Sequence, residues 1–132
     1  MGQPVAILIA VDTGQGALSC RESLVELVDL AKTAGISVKA CMSQQRDTPH
    51  PSLYLGTGKV DEVAEQLCGV DIVIADDELK PRQQKALQER FKCKILDRTS
   101  LILDIFAQRA QTHEAKIQVE LAQLTYLSTR LT

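Results

Sequence analysis

Aromatic side chains are almost missing from this sequence. It has no Trp, two Tyr and two Phe in 132 residues. A platform that stacks single-stranded nucleic acid needs several rings, so that class of surface is excluded as the organising theme. An excess of positive charge is missing too. Fifteen Lys and Arg stand against seventeen Asp and Glu, a formal net charge of −2. A domain that grips nucleic acid by bulk charge needs clustered Lys and Arg, and only a local contact stays open. There is no CxxC pair. Cys20, Cys41, Cys68 and Cys93 are widely spaced, and His50 and His113 are the two histidines. A zinc site needs a tighter constellation, so no metal ligand set is expected, and the cysteines read as buried free thiols of a reducing compartment. No long hydrophobic run occurs near the start. Val5 to Val11 is too short to span a membrane and no basic stretch precedes it, so a cytoplasmic protein that needs no membrane is expected.

What is present fits one ordinary folded domain, with 45% apolar and 24% charged residues. Val5 to Val11 reads as a strand covered on both faces. Asp12-Thr13-Gly14-Gln15-Gly16 breaks it. Ser19-Cys20-Arg21-Glu22 has the S-x-x-E spacing of a capping box, so a helix starts there, with Leu24, Leu27, Val28 and Ala31 on one face and Gly35 as its stop. A second strand is expected over Ile36 to Met42, a polar loop over Ser43 to Pro51, and a second helix over Val60 to Leu67. Val70 to Ala75 reads as the third strand. Pro81 opens a third helix that runs to about Phe91, and Lys94 to Leu96 is a short fourth strand. Alternation of this kind predicts an α/β fold, a four-stranded parallel sheet flanked by helices, over residues 1–97. Residues 98–132 contain no Gly or Pro. Two apolar faces, Leu101, Ile102, Ile105 and Phe106, then Ile117, Leu121, Leu124 and Leu131, predict a long antiparallel helical hairpin joined near Gln111 to Glu114, with Thr112 as N-cap. One continuous helix is the alternative.

Four constellations invite a chemical reading. Gly56-Thr57-Gly58-Lys59 resembles the end of a P-loop, but Leu53 stands where the first glycine is needed and Val60 where a Ser or Thr would hold magnesium. Gly56, Gly58 and Lys59 are candidates for an anion or nucleotide site at a helix start; the structural alternative is that the glycines allow a tight turn. Asp76-Asp77-Glu78 follows a strand, where parallel sheets bind ligands, yet no base or nucleophile accompanies it, so solvated acids near a helix start are the simpler reading. Asp97-Arg98-Thr99 suits a cap and an ion pair. Arg109, Gln111, Thr112, His113, Glu114 and Lys116 form the join of the hairpin, a polar and partly basic tip on rigid helices. No Cys-His or Ser-His-Asp set can be assembled, so no catalytic residue is expected.

Longer segments carry a resemblance. Leu53-Tyr54-Leu55-Gly56-Thr57-Gly58-Lys59-Val60-Asp61-Glu62 is similar to a segment of the HflX-type ribosome-associated GTPases. Ile95-Leu96-Asp97-Arg98-Thr99-Ser100-Leu101-Ile102-Leu103-Asp104-Ile105-Phe106-Ala107 resembles that family's stretch around its Asp-Arg-Thr motif, and Gln118-Val119-Glu120-Leu121-Ala122-Gln123-Leu124 continues the likeness. The resemblance implies an N-terminal domain without the G domain that follows it in the family. No cofactor is then expected in this chain, since GTP and magnesium belong to that G domain. ATP is also associated with the family's N-terminal domain, with Gly56, Gly58 and Lys59 the residues available. The implied partner is the large ribosomal subunit and its RNA, reached through the hairpin tip at Arg109, Gln111, His113 and Lys116. Gln111 stands where many members have Arg, and Ala115 where many have Gly. The rival readings are an ATP-binding α/β domain and a protein-interaction domain whose hairpin stripe self-associates; oligomeric state is open.

Overall fold

The computed structural model describes residues 2–16 and 19–130. Leu131, expected on the hairpin stripe, lies outside the described residues. Four strands and five helices alternate: β1 (Val5–Asp12), α1 (Cys20–Thr33), β2 (Ser37–Gln45), α2 (Thr57–Glu65), β3 (Ile72–Ala75), α3 (Pro81–Phe91), β4 (Lys94–Asp97), α4 (Arg98–Arg109) and α5 (His113–Ser128). The sheet is parallel throughout, in the order β2-β1-β3-β4, as the alternating pattern predicts. No described helix is long and apolar enough to cross a membrane.

Alternation along β1 divides the core into two layers. Ile7, Ile9 and Val11 face α2 and α3, where Val60, Val63, Leu87 and Phe91 close over them. Ala6 and Leu8 face the other way, onto Leu27 and Ala31 of α1 and Leu101 and Ile105 of α4. Successive strand side chains point to opposite faces, so a run that is apolar at every position is the signature of a strand buried on both. α4 therefore packs as part of this body, whereas α5 has no buried residue.

Several boundaries differ from the sequence expectation. β2 runs three residues past Met42, because Ser43, Gln44 and Gln45 pair with Ala10, Val11 and Asp12. Their polarity suits a sheet edge with one wet face, which a hydrophobicity pattern alone reads as loop. A register shift opposite Ala6 and Ile7 leaves Lys39 unpaired. Its Nζ reaches the Gln66 and Cys68 carbonyls at 3.0 and 3.2 Å, a cation at the C-terminal end of α2. α2 starts at Thr57 rather than Val60. The break between α4 and α5 is real: Ala110 is extended at ψ 119, and the Thr112 hydroxyl accepts from the Ala115 N–H at 3.0 Å. The cysteines are free thiols, but the expectation that they are buried fails. Cys41 and Cys68 are exposed, while Cys20 and Cys93 are half-buried. Cys41 lies on the edge strand, beside an open pocket against α1, and Cys68 just past α2.

Candidate functional site

The order of the strands reverses between β1 and β3, and the C-terminal ends of these strands form the crevice where open α/β sheets bind ligands. Here that edge is built around Tyr54. Its ring is buried, and its phenol donates to Asp77 Oδ2 at 2.5 Å and accepts from the Val11 N–H at 3.2 Å. Burial first, and then the Asp77 carboxylate, push its pKa far above that of a free tyrosine, so it stays a neutral donor. Tyr54 also carries the left-handed backbone of this turn, at φ 66. The alternative in which the glycines allow a tight turn holds at Gly56, though through space and not through a positive φ. Gly56 has an ordinary φ of −65, and what it supplies is space: a Cβ there would lie 2.9 Å from Arg46 Nη1 and Gln44 Nε2. In that space Gln44 Oε1 accepts the Gly56 N–H at 2.7 Å.

Of the three P-loop-like candidates, Gly56 and Lys59 have partners inside the domain. Gly56 is buried and its amide is bound, Lys59 pairs with Glu62 at 3.0 Å, and Gly58 is exposed with open space where a Cβ would stand. The acids lie elsewhere. One cavity, of about 410 Å³, is lined by Thr48, Pro49, Pro51, Tyr54, Asp77, Glu78, Lys80 and Gln83. A smaller one, of about 170 Å³, lies between Asp12, Gln15, Ser23, Asp76 and Asp77. Neither includes Gly56, Gly58 or Lys59. No group of three or more His, Cys, Asp or Glu among the described residues could hold a metal ion.

Asp76 and Asp97 end neighbouring strands and organise the helices beyond them. Asp76 is buried and pairs with Arg98 Nη1 at 2.7 Å, and Arg98 also bonds Glu26 of α1. Burial raises the Asp76 pKa, against the lowering pull of Ser23 and Arg98. Asp97, only 1% exposed, caps α4 through Oδ1, which accepts from the Ser100 N–H at 3.0 Å. Its Oδ2 accepts from the Leu79 N–H at 2.9 Å and from the Tyr126 phenol. Arg130 lies over the Tyr126 ring, 3.9 Å from its centroid, and donates to that phenol at 2.5 Å and to the Leu79 carbonyl at 2.6 Å. The cap and ion pair expected of Asp97 and Arg98 are thus in place. Sequence reasoning missed Tyr126, Arg130, Tyr54 and Gln83. Gln83 is buried, accepts from the Lys80 N–H at 2.8 Å and donates to the His50 carbonyl at 2.9 Å. The two tyrosines carried a signal, since a chain this poor in rings buries one only where its hydroxyl finds a partner.

At the far end of the helical pair, Arg109, Gln111, His113 and Lys116 are all exposed around the turn. None of the ion pairs among the described residues involves Arg109 or Lys116.

A four-stranded parallel sheet flanked by helices, with α4 and α5 following its last strand, is an α/β arrangement that this chain shares with solved GTP-binding proteins. In solved structures the same arrangement occurs in a GTP-binding protein from the archaeon Sulfolobus solfataricus in complex with GDP, at a TM-score of 0.75 and 26% identity over 97% of this chain and 38% of that one. The structure of SsGBP with GDP gives a TM-score of 0.80 at 26% identity, over 97% of this chain and 36% of that one. The pattern described as "GTP-binding GTPase N-terminal" matches residues 21–107, and "GTP-binding GTPase Middle Region" matches 109–132. The chain belongs to this family, the N-terminal domains of HflX GTPases. It is 47% identical to GTPase HflX of Lacrimispora saccharolytica over 95% of this chain, and 46% identical to GTPase HflX of Escherichia coli over 83%. The chain spans 30% and 26% of the length of these relatives.

Proposed function

We propose that this domain is the ribosome-engaging module of an HflX-type GTPase, and that it meets RNA of the large subunit through the turn between α4 and α5. The observation that carries this reading is the chemistry of that turn. Arg109 and Lys116 extend from two rigid helices, exposed and without an ion-pair partner among the described residues, with Gln111 and His113 between them. Cations held this way keep their charge for phosphate oxygens, and a narrow tip suits recognition of RNA by shape and backbone rather than by base edges. The module is non-catalytic in itself. Nucleotide chemistry would belong to the remainder of a longer GTPase.

Co-sedimentation with purified large ribosomal subunits tests the proposal. Binding should weaken with salt. Reversing Arg109 and Lys116 to Glu should reduce it and make its logarithmic salt slope shallower, by about one for each phosphate no longer neutralised. Binding that survives both reversals undiminished would overturn the assignment of the tip.

A further inference from the structure

α5 is held to the body in an unusual way. It has no buried residue, and its large apolar side chains Ile117, Leu121, Leu124 and Leu127 are each at least half exposed. Along its flank one side-chain bond among the described residues ties it to α4, from Gln123 Nε2 to Asp104 Oδ1 at 3.1 Å. Its polar contacts with the sheet edge lie at its C-terminal end, in Tyr126 and, just past the helix, Arg130. These meet Asp97 Oδ2 and the Leu79 carbonyl, with Glu78 at 3.6 Å from Arg130. α4 is fixed independently, by Leu101 and Ile105 in the core and by its Asp97 cap. The other end of α5 is the Ala110–Thr112 turn, whose extended Ala110 breaks the helical hydrogen-bond ladder.

We infer that the Asp97–Tyr126–Arg130 cluster is a latch, and that α5 is the movable element of the domain, pivoting on the Ala110–Thr112 turn when the latch opens. The groove of about 660 Å³ beneath α5 runs from Ile95 and Leu96 of β4 past Leu103 of α4 to Leu124 and Leu127. An open latch frees the α5 wall of that groove while α4 and the sheet keep their own packing. Asp97 is well placed for this role because the same carboxylate group caps α4, binds the loop before α3 and receives Tyr126. Opening the latch removes the third function and leaves the first two. The inference is independent of any ribosome contact, because it concerns the base of the helical pair and not its tip.

The test is amide hydrogen exchange of the whole chain, resolved by element, in Tyr126→Phe combined with Arg130→Gln. Exchange in residues 113–128 should accelerate about tenfold or more, while β1 and β3 keep their protection. Labels placed at Ser128 and Lys32 as unnatural amino acids should show a broadened distance distribution. Unchanged exchange and distance would overturn the latch. Equal loss of protection in the sheet and α5 would also overturn it, because the cluster would then belong to the global fold. Gln123→Ala serves as the second variant. If it matches the double variant, the hold lies along the flank of α4 and the inference fails.

Discussion

β1 and α5 are built from similar aliphatic side chains and put them to opposite use. Ile7, Leu8 and Ile9 of β1 are fully buried, whereas Leu121 and Leu124 of α5 are 62% and 64% exposed. The difference is one of neighbours. β1 has strands on both edges and helices on both faces, so each side chain from Ala6 to Val11 finds a layer to enter. α5 touches its surroundings through Ala115, Val119, Gln123 and Tyr126, which are half-buried, while Leu124 and Leu127 line the groove over β4 and α4 and stay largely exposed. The body is held by removal of apolar surface from water, and α5 by a few oriented polar bonds.

The sharpest test of that contrast is a matched pair of truncations. Leu8→Ala opens a cavity between two layers and should cost about 2–5 kcal/mol. Leu121→Ala removes a side chain that is already largely in water and should change stability by less than about 0.5 kcal/mol. Denaturant midpoints for the two variants, compared at equal slope, decide the matter. A large destabilisation by Leu121→Ala would break the comparison, and would mean that a second copy of the chain covers the stripe in solution.

The polar edge of the body should be intermediate. Tyr54→Phe keeps the buried ring and removes its hydroxyl, so the Val11 N–H is left without its partner inside the core, while exposed Asp77 can turn to water. A buried amide left unsatisfied costs about 1–3 kcal/mol. Thermal unfolding of this variant should show that decrease, and an unchanged midpoint would mean that the Val11 amide finds water through the adjoining cavity.

Much of the body was legible in the sequence because its signals are local. The apolar run of β1, the Ser19 cap, Pro81 at the start of α3 and the Thr112 cap each depend on a few neighbouring residues, and each is where it was expected. What could not be read depends on residues distant in the chain. Ser43, Gln44 and Gln45 look like loop until they pair with β1. Gly56 looks like a phosphate-binding glycine until Gln44, twelve residues earlier, occupies its amide. Tyr126 and Arg130 look like ordinary members of a helix end until they meet Asp97 and Leu79. The anchor of α5 is therefore absent from any helical periodicity, which records which face is apolar and not what holds it.

The smallest effect lies at the seam between the two regions, in Asp76. Its carboxylate sits at the end of β3, and Arg98 at the start of α4 reaches back to it. Burial disfavours its ionised form more than Ser23 and Arg98 favour it, so its pKa in the folded protein lies above the ordinary value of 3.8. The sign of the stability effect follows from proton uptake. Between the unfolded and the folded titration the folded state holds a proton that the unfolded state has lost, so the contribution of Asp76 is greatest below the unfolded pKa and declines as pH rises through the folded one. Asp76→Asn keeps the size of the side chain and removes this dependence. The stability of the natural chain relative to that variant should therefore fall as pH is raised from about 4 towards 7, read as the difference in Tm at each pH. A difference that grows with pH instead would mean that Arg98 outweighs burial, and that the seam is held by the ion pair rather than merely tolerating a buried acid.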